Sequence, residues 1–273
     1  MSMTIDLRYN ICMQPIELPV FNPVALELLR LLADHDVDMD EVIHVIEKDP
    51  SLSIQILKMA NSSAYAGRYR SETLKESVNR LGAKQITSLA MAASQAAIHT
   101  SSIPIVDTII KGLWQHSHAC AIGAKTVAMG CGRRDLAEQA YLGGLLHDIG
   151  KLYLLKALER ISLDPSSVLE LDCETIIDVF SDMHVEQGCR IMDHWDIPYT
   201  YYEIVARHHD YSVDPDNPLL AIVRLANYYS LKFGMNLYPQ FVQPLNAQQE
   251  IEILNVDDEL LARMESDMNG SAE

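Results

Sequence analysis

Helical periodicity over nearly the whole chain is the feature that most limits the folds open to it. Apolar residues recur at spacings of three and four, and we find no hairpin signal, internal repeat or low-complexity segment. This pattern predicts an all-α fold. The predicted helices lie at about 72–81, 84–98, 106–129, 135–153, 174–195, 198–209 and 218–232, with others opening at Asn22-Pro23, at Asp38 and at Asp49-Pro50, and a loop is predicted from Leu158 to Cys173.

A polar, proline-containing segment at 99–104 separates two helical halves. The last part of the chain, 250–273, carries eight acidic residues and one arginine, and it can form one amphipathic helix followed by a short tail. We therefore expect an N-terminal helical subdomain, a second helical subdomain and an acidic C-terminal helix.

The charge of the chain argues against nucleic-acid partners. Its 273 residues carry a net charge of −17, whereas binding to DNA or RNA depends on Lys and Arg neutralising phosphates. A basic stretch around Arg70, Lys75 and Arg80 is more typical of a solvated helix face than of a phosphate-binding patch. We expect no DNA or RNA ligand.

Cysteine usage and the start of the chain indicate a cytoplasmic protein. The five cysteines are odd in number and form no CxxC pair, which favours reduced thiols. The N-terminus has no basic and apolar leader, and the longest uncharged stretch, 85–106, contains too many polar residues to span a membrane.

The sharpest local feature is the sequence 143–151, Gly-Gly-Leu-Leu-His-Asp-Ile-Gly-Lys. An adjacent His147-Asp148 pair in an apolar helix is unusual, because a buried charge needs a partner. A metal ion is one such partner, and imidazole with carboxylate suits first-row ions. Lys151 follows His147 by four residues and is predicted to share its helix face, where it could hold a phosphate.

Other histidines are spread over separate predicted helices. His116, His184 and the pair His208-His209 stand near helix ends or within helices, and only folding could bring them together. Taken singly, each is more typical of a core or surface residue than of a metal ligand. His118, two residues from His116, is expected to face another way. Because neighbouring helical residues point about 100° apart, His208 and His209 can both bind only if two ions are present or the helix ends there.

The order of these residues resembles the HD superfamily of metal-dependent phosphohydrolases. In that superfamily an early His, the His-Asp pair and a late Asp bind a metal, and two-metal members such as the HD-GYP phosphodiesterases add a His and a His-His pair. The resemblance implies one or two divalent ions (Fe, Mn, Zn, Co or Ni) held by His116, His147, Asp148, His184, His208 and His209.

Two positions depart from that pattern. Where the late Asp is expected, the chain has Asn227, a neutral oxygen ligand that holds a dication more weakly than a carboxylate. After His208-His209 the chain reads Asp210-Tyr211-Ser212 in place of a GYP signature, which argues against cyclic-di-GMP hydrolysis.

Four motifs stand in the first half of the chain: Leu18-Pro19, Asp49-Pro50-Ser51-Leu52, 57–65 (Leu-Lys-Met-Ala-Asn-Ser-Ser-Ala-Tyr) and Ala83-Lys84-Gln85-Ile86. Together they are similar to the HDOD family, which resembles HD hydrolases with an added N-terminal helical bundle. The resemblance implies an HDOD domain over 8–210, with an N-terminal bundle at 8–102, an HD-like subdomain at 103–240 that extends past the match, and the acidic helix and tail at 241–273.

Two functions follow from the resemblance. The first is a bacterial signal-transduction protein that keeps a metal site and binds a protein partner, a nucleotide or a phosphate ligand. The alternative is an active metal-dependent phosphohydrolase acting on a phosphodiester or a nucleotide, with Asp148 orienting the attacking water and Lys151 stabilising charge on the phosphate. A homodimer is compatible with either function.

Overall fold

The computed structural model describes residues 5–14, 22–31, 37–65, 67, 69–96, 101–232 and 247–270. Every regular element in these ranges is a helix, which confirms the predicted fold class. The helices are α1 (Ile5–Met13), α2 (Pro23–Leu31), α3 (Met39–Glu47), α4 (Pro50–Ala60), α5 (Leu74–Leu81), α6 (Ala83–Ala96), α7 (Pro104–Gly130), α8 (Ala137–Leu146), α9 (Ile149–Leu163), α10 (Cys173–His194), α11 (Tyr199–Arg207), α12 (Pro218–Lys232), α13 (Gln248–Leu254) and α14 (Asp258–Gly270), with a 3₁₀ turn at Arg134–Leu136.

The chain forms two compact units whose boundaries differ from the predicted ones. The larger unit comprises 1–18, 99–194 and 199–273, and the smaller comprises 19–98 with 195–198. Helix α1, which the sequence pattern placed with the N-terminal bundle, therefore belongs to the larger unit. The hydroxyl of Tyr153 on α9 donates to the carbonyls of Ile11 and Gln14, at 3.3 and 3.1 Å, and the Ile11 side chain is fully buried.

Helix starts in the smaller unit follow from local hydrogen bonding. The Asn22 side chain accepts from the Val24 amide at 2.9 Å, and the Asp38 side chain accepts from the Asp40 amide at 2.9 Å. Thr73 and Glu76 form a complete capping box at the start of α5. Each cap satisfies an amide that the first helical turn leaves without an intrahelical acceptor.

A partly buried polar network in the smaller unit holds the loop between α4 and α5. The Asn61 side chain donates to the carbonyls of Leu57 and Ser71, at 2.9 and 2.8 Å, and accepts from the Ser71 amide at 2.7 Å. The Ser71 and Ser77 hydroxyls lie 2.9 Å apart. Arg80 donates to the carbonyl of Ala60 at the end of α4 and to the carbonyl of Tyr69 within the loop. Asn61, part of the family-like sequence, is thus a structural residue here.

The predicted helix 135–153 is in fact two helices separated at His147 and Asp148. Asp148 has φ −104° and ψ 17°, outside the helical range, and α9 begins at the next residue. The predicted loop from Leu158 is also wrong at its start, since α9 continues to Leu163 with Leu158 fully buried. Burial of an apolar face extends the helix beyond the point where local signals predict its end.

Two glycines on either side of this break allow backbones to approach closely. A Cβ on Gly144 would lie 2.7 Å from Cα of Ala121 on α7, and a Cβ on Gly150 would overlap the carbonyl oxygen of His184 on α10. Any larger residue would force these helix pairs apart. The glycines therefore place α8 against α7, and α9 against α10.

Helix α7 runs through the centre of the larger unit. It is 27 residues long and buries a face that includes His116 and Ser117 along with its apolar residues. Neither α7 nor any other helix in the described ranges combines the length and the apolarity that crossing a bilayer requires.

Candidate metal centre

Four packed segments of the larger unit bring the predicted ligands together. His116 comes from α7, the pair His147-Asp148 from the break between α8 and α9, and His184 from α10. The pair His208-His209 follows α11. All of these side chains are buried except His209, which is exposed.

The carboxylate of Asp148 lies between two groups of imidazoles. Its Oδ2 atom is 3.4 Å from Nε2 of His116 and 3.4 Å from Nε2 of His147. Its Oδ1 atom is 3.5 Å from Nε2 of His208 and 3.9 Å from Nε2 of His184. One carboxylate thus offers a separate oxygen to each group.

The end of α11 explains how two consecutive histidines reach the same cluster. The helix ends at Arg207, so His208 and His209 lie in the following turn rather than 100° apart on a helix. The His184 ring is 5.5 Å from the His208 ring and 5.0 Å from the His209 ring, measured between centroids. Of the two conditions stated for a double role of this pair, the helix end is met.

Backbone carbonyls fix the tautomer of three of these rings. In each ring Nδ1 lies within hydrogen-bonding distance of a carbonyl oxygen three or four residues earlier, so Nδ1 carries the proton and Nε2 keeps its lone pair. The pairs are His147 with Gly144 at 2.7 Å, His184 with Phe180 at 2.6 Å and His208 with Val205 at 2.9 Å.

Ser230 on α12 fixes the fourth ring. Its hydroxyl donates to the backbone carbonyl of Asn227 at 2.8 Å, so its oxygen accepts from Nδ1 of His116 at 3.0 Å. Nε2 of His116 is then also a lone-pair atom. Sequence reasoning missed Ser230, because a serine 114 positions from its partner carries no local signal of this role.

The cluster is consequently a group of acceptors that face one another. Nε2 of His116 and Nε2 of His147 lie 3.2 Å apart with no proton between them. Oδ1 of Asp148 and Nε2 of both His184 and His208 are buried without any hydrogen-bond partner among the described residues. Buried polar atoms are nearly always paired, so this arrangement calls for a cation.

Burial favours the neutral form of three of these imidazoles. It lowers the pKa of His116 to about 4 and the pKa of His184 to about 3, and it also lowers the pKa of His208. Neutral imidazole is the form that binds a metal. At neutral pH these three rings can therefore bind a metal ion without first releasing a proton.

The Asp148 carboxylate stays charged although it is buried. Burial alone would raise its pKa, but the nearby Lys151 ammonium holds the pKa of Asp148 well below its usual range. Nζ of Lys151 donates to Oδ2 of Asp148 at 2.6 Å. Because the helix breaks before Ile149, Lys151 does not share a helix face with His147 as predicted; it contacts Asp148 from the first turn of α9.

The first group fits the bond lengths of a transition metal. Nε2 of His116, Nε2 of His147 and Oδ2 of Asp148 form a triangle with sides of 3.2, 3.4 and 3.4 Å. The point equidistant from these atoms lies about 1.9 Å from each, just short of the roughly 2.0–2.2 Å that zinc-type ions take to such atoms. The donor set suits zinc, iron, manganese or cobalt better than calcium or magnesium.

A comparison with known protein families matches residues 18–211 to the HDOD domain. The chain belongs to the HDOD family. The match covers the smaller unit and the segments that carry His116, His147-Asp148, His184 and His208-His209, so the cluster lies within the HDOD domain.

Solved structures share this HDOD fold. A candidate metal-dependent phosphohydrolase of Shewanella amazonensis SB2B is 20% identical, with a TM-score of 0.71 and coverage of 98% of this chain and 97% of that one. An HDOD domain protein of unknown function from Geobacter sulfurreducens is 18% identical, with a TM-score of 0.72 and coverage of 98% and 95%. At these identities the likeness concerns the fold alone.

A curated relative is longer than this chain. An uncharacterized protein of Treponema pallidum (strain Nichols) is 24% identical over 235 residues, which are 83% of this chain and 44% of the relative. The chain thus spans less than half the length of that relative.

Asn227 and His118 are the remaining two residues about which the sequence makes a prediction. Asn227, the position of the expected late Asp, is buried on α12, one turn before Ser230, and its role as a weak ligand stays a prediction. His118 stacks on Trp114 with ring centroids 5.1 Å apart and is not part of either group of candidate ligands.

Proposed function

We propose that this HDOD protein is a signalling module whose His/Asp cluster holds two divalent ions and binds a phosphate-bearing ligand. The observation that carries the proposal is the all-acceptor arrangement of four Nε2 atoms around the two oxygens of Asp148. The first ion would be held by His116, His147 and Oδ2, and the second by Oδ1, His184, His208 and His209.

Lys151 and His209 supply the side of the cluster that meets solvent. The Lys151 side chain is 22% exposed and His209 is exposed, whereas the other cluster residues are buried. A phosphate that approaches from solvent would meet the Lys151 ammonium beside Asp148, which is a favourable charge for an anion. This placement supports a phosphate or nucleotide ligand.

Asn227 supports a binding role over a catalytic one. A neutral amide in place of the expected carboxylate reduces the negative charge available to the first ion. A protein that shares the fold at 23% identity, from Marinobacter aquaeolei VT8, is named as a candidate signal transduction protein. Because of this likeness to a candidate signal transduction protein, we also propose that the chain binds a protein partner.

Metal-dependent phosphohydrolysis is the second candidate, favoured by the contact between Lys151 and Asp148. When bound, the ions would polarise a phosphoryl oxygen and lower the pKa of a nearby water. Asp148, fixed by the helix break, would orient that water, and Lys151 would stabilise negative charge on the phosphate. The Shewanella protein named as a candidate metal-dependent phosphohydrolase shares the fold and so is compatible with this candidate.

Metal analysis of protein purified without chelator tests the proposal. We expect about two ions per wild-type chain and loss of at least one in His147→Ala, because that ring contributes a converging lone pair. His118→Ala is the matched control, since His118 lies on α7 outside both ligand groups. Equal metal content in wild type and His147→Ala would contradict the metal centre.

Assays on the metal-loaded protein separate the two candidates. Binding of a nucleotide or phosphodiester without turnover supports the signalling module. Turnover that disappears in His147→Ala and persists in His118→Ala supports the phosphohydrolase.

A further inference from the structure

A buried arginine holds the turn that carries His208 and His209. Arg224 on α12 is 7% exposed, and its Nη1 donates to the carbonyl of Asp210 at 2.5 Å and to the carbonyl of Arg207 at 3.4 Å. These two carbonyls immediately flank the histidine pair. One guanidinium therefore fixes the backbone at both ends of the turn.

Helix α13 fixes that arginine in turn. Nε of Arg224 donates to Oε1 of Glu250 at 2.7 Å, and Glu250 is only 3% exposed. Next to it, Gln249 accepts from the backbone amide of Val213 at 3.3 Å. Helix α13 thus contacts the segment after α11 directly through Gln249, and Glu250 contacts the arginine that holds that segment.

Stability alone gives a weak reason for this pair. Bringing a carboxylate and a guanidinium out of water costs several kcal/mol per ion, and replacing such a pair by apolar residues is often neutral or stabilising. The second oxygen of Glu250 is moreover buried without a hydrogen-bond partner among the described residues. What the pair does accomplish is to hold two carbonyls of the histidine turn in place.

We infer that Arg224 and Glu250 are positioning residues for the ion held by His208 and His209, so that α13 sets the affinity of that ion. The inference rests on the proposed two-ion centre. Metal ligands that sit on a turn keep their geometry only if the turn is held, and outer residues that orient ligands typically change metal affinity by about 10- to 100-fold.

Titration with cobalt(II), followed by calorimetry and by its visible absorbance, tests the inference. His208→Ala identifies the binding event that depends on the turn, and His147→Ala identifies the other. We expect Glu250→Gln to weaken the His208-dependent event about tenfold and to leave the other unchanged. Arg224→Lys keeps the charge opposite Glu250 but loses the fork that reaches the carbonyls, so it should weaken the same event at least as much.

Glu159→Gln is the matched control. Glu159 on α9 is also buried and paired, with Lys156 at 2.9 Å, and it contacts neither the turn nor α13. It should lower the midpoint of thermal unfolding without changing either cobalt affinity. If Glu159→Gln weakened the His208-dependent event as much as Glu250→Gln, the effect would be general destabilisation and the inference would be overturned.

The two possible failures can be told apart. If the wild type shows no binding event that depends on His208, the two-ion centre itself is wrong and the inference with it. If that event is present and has the same affinity in Glu250→Gln and Arg224→Lys, the inference alone is wrong.

Discussion

Each of the two compact units contains a polar cluster that is at least partly buried, and the clusters differ in whether donors and acceptors are matched. In the smaller unit, the network of Asn61, Ser71, Ser77 and Arg80 matches donors with acceptors. In the larger unit, the histidines around Asp148 direct the lone pairs of their Nε2 atoms toward its carboxylate oxygens. Of the five buried side-chain atoms without a partner among the described residues, three belong to this second cluster.

The contrast separates structural polar residues from functional ones. A network in which donors and acceptors are matched stabilises the fold and leaves no polar atom free to bind a ligand. A cluster of unpaired acceptors lowers the stability of the empty protein, and this cost is compensated only when a cation arrives. Both clusters coincide with sequence patterns of the same family, so the family pattern alone does not tell them apart.

The strongest test of this contrast is Asp148→Asn. We expect it to weaken metal binding more than about 100-fold, because it removes the one charge shared by both ligand groups, and even outer-shell partners are worth 10- to 100-fold. The free energy of unfolding of the metal-free protein should change little, because the variant loses the charged partner of Lys151 but gains an amide that can donate to an imidazole lone pair. Calorimetry with cobalt(II) and denaturant unfolding in chelator measure the two effects. If this variant bound metal as tightly as the wild type, the cluster around Asp148 would not be the metal site, and the contrast between the two clusters would be wrong.

Asn61→Ala should show the opposite behaviour. It removes two donors and one acceptor from the partly buried network, which takes a partner from backbone groups of Leu57 and Ser71 and should cost about 2 kcal/mol of unfolding free energy. Metal content should not change. Asn79→Ala, at an exposed position of α5, is the control and should be nearly neutral. Loss of metal in Asn61→Ala would contradict a purely structural role.

Ser230→Ala should have the smallest effect. Without the hydroxyl, the His116 ring is free to change its tautomer and orientation, and the affinity for the ion bound through His116 should fall about tenfold, or about 1.4 kcal/mol. Ser162→Ala is the control, because Ser162 makes the same kind of bond to a carbonyl three residues earlier and contacts no histidine. An equal loss of cobalt affinity in both variants would show that Ser230 does not act through His116.

Patterns of residue type anticipated much of this molecule. Periodicity predicts the helices, and the family resemblance predicts the set of His116, His147, Asp148, His184, His208 and His209, which the structure places close together. The helix break at His147-Asp148 was not anticipated, because no proline marks it and the flanking residues are apolar. It follows from tertiary packing, which overrides local preference.

The residues that hold the candidate ligands in place could not be predicted from the sequence. Ser230 and Arg224 act on residues 114 and 14–17 positions away, through a hydroxyl and a guanidinium of ordinary appearance. In the sequence, Glu250 is one of eight acids in an acidic segment. In the structure it is 3% exposed and accepts a hydrogen bond from Arg224. Their roles depend on which helices meet, and this is decided by packing rather than by any local pattern.

The contact at Gly150 has a consequence for how steadily the cluster keeps its dimensions. Because α9 meets α10 there through main-chain atoms, the gap between the segment that begins at Asp148 and the one that carries His184 is set by peptide geometry. Rotamer changes and core substitutions elsewhere alter side-chain volumes, and main-chain spacing at such a point responds little to them. The segment of Asp148 and the segment of His184 are therefore held at a fixed distance from each other. Substitutions distant from Gly150 should leave the geometry of these two metal ligands largely undisturbed.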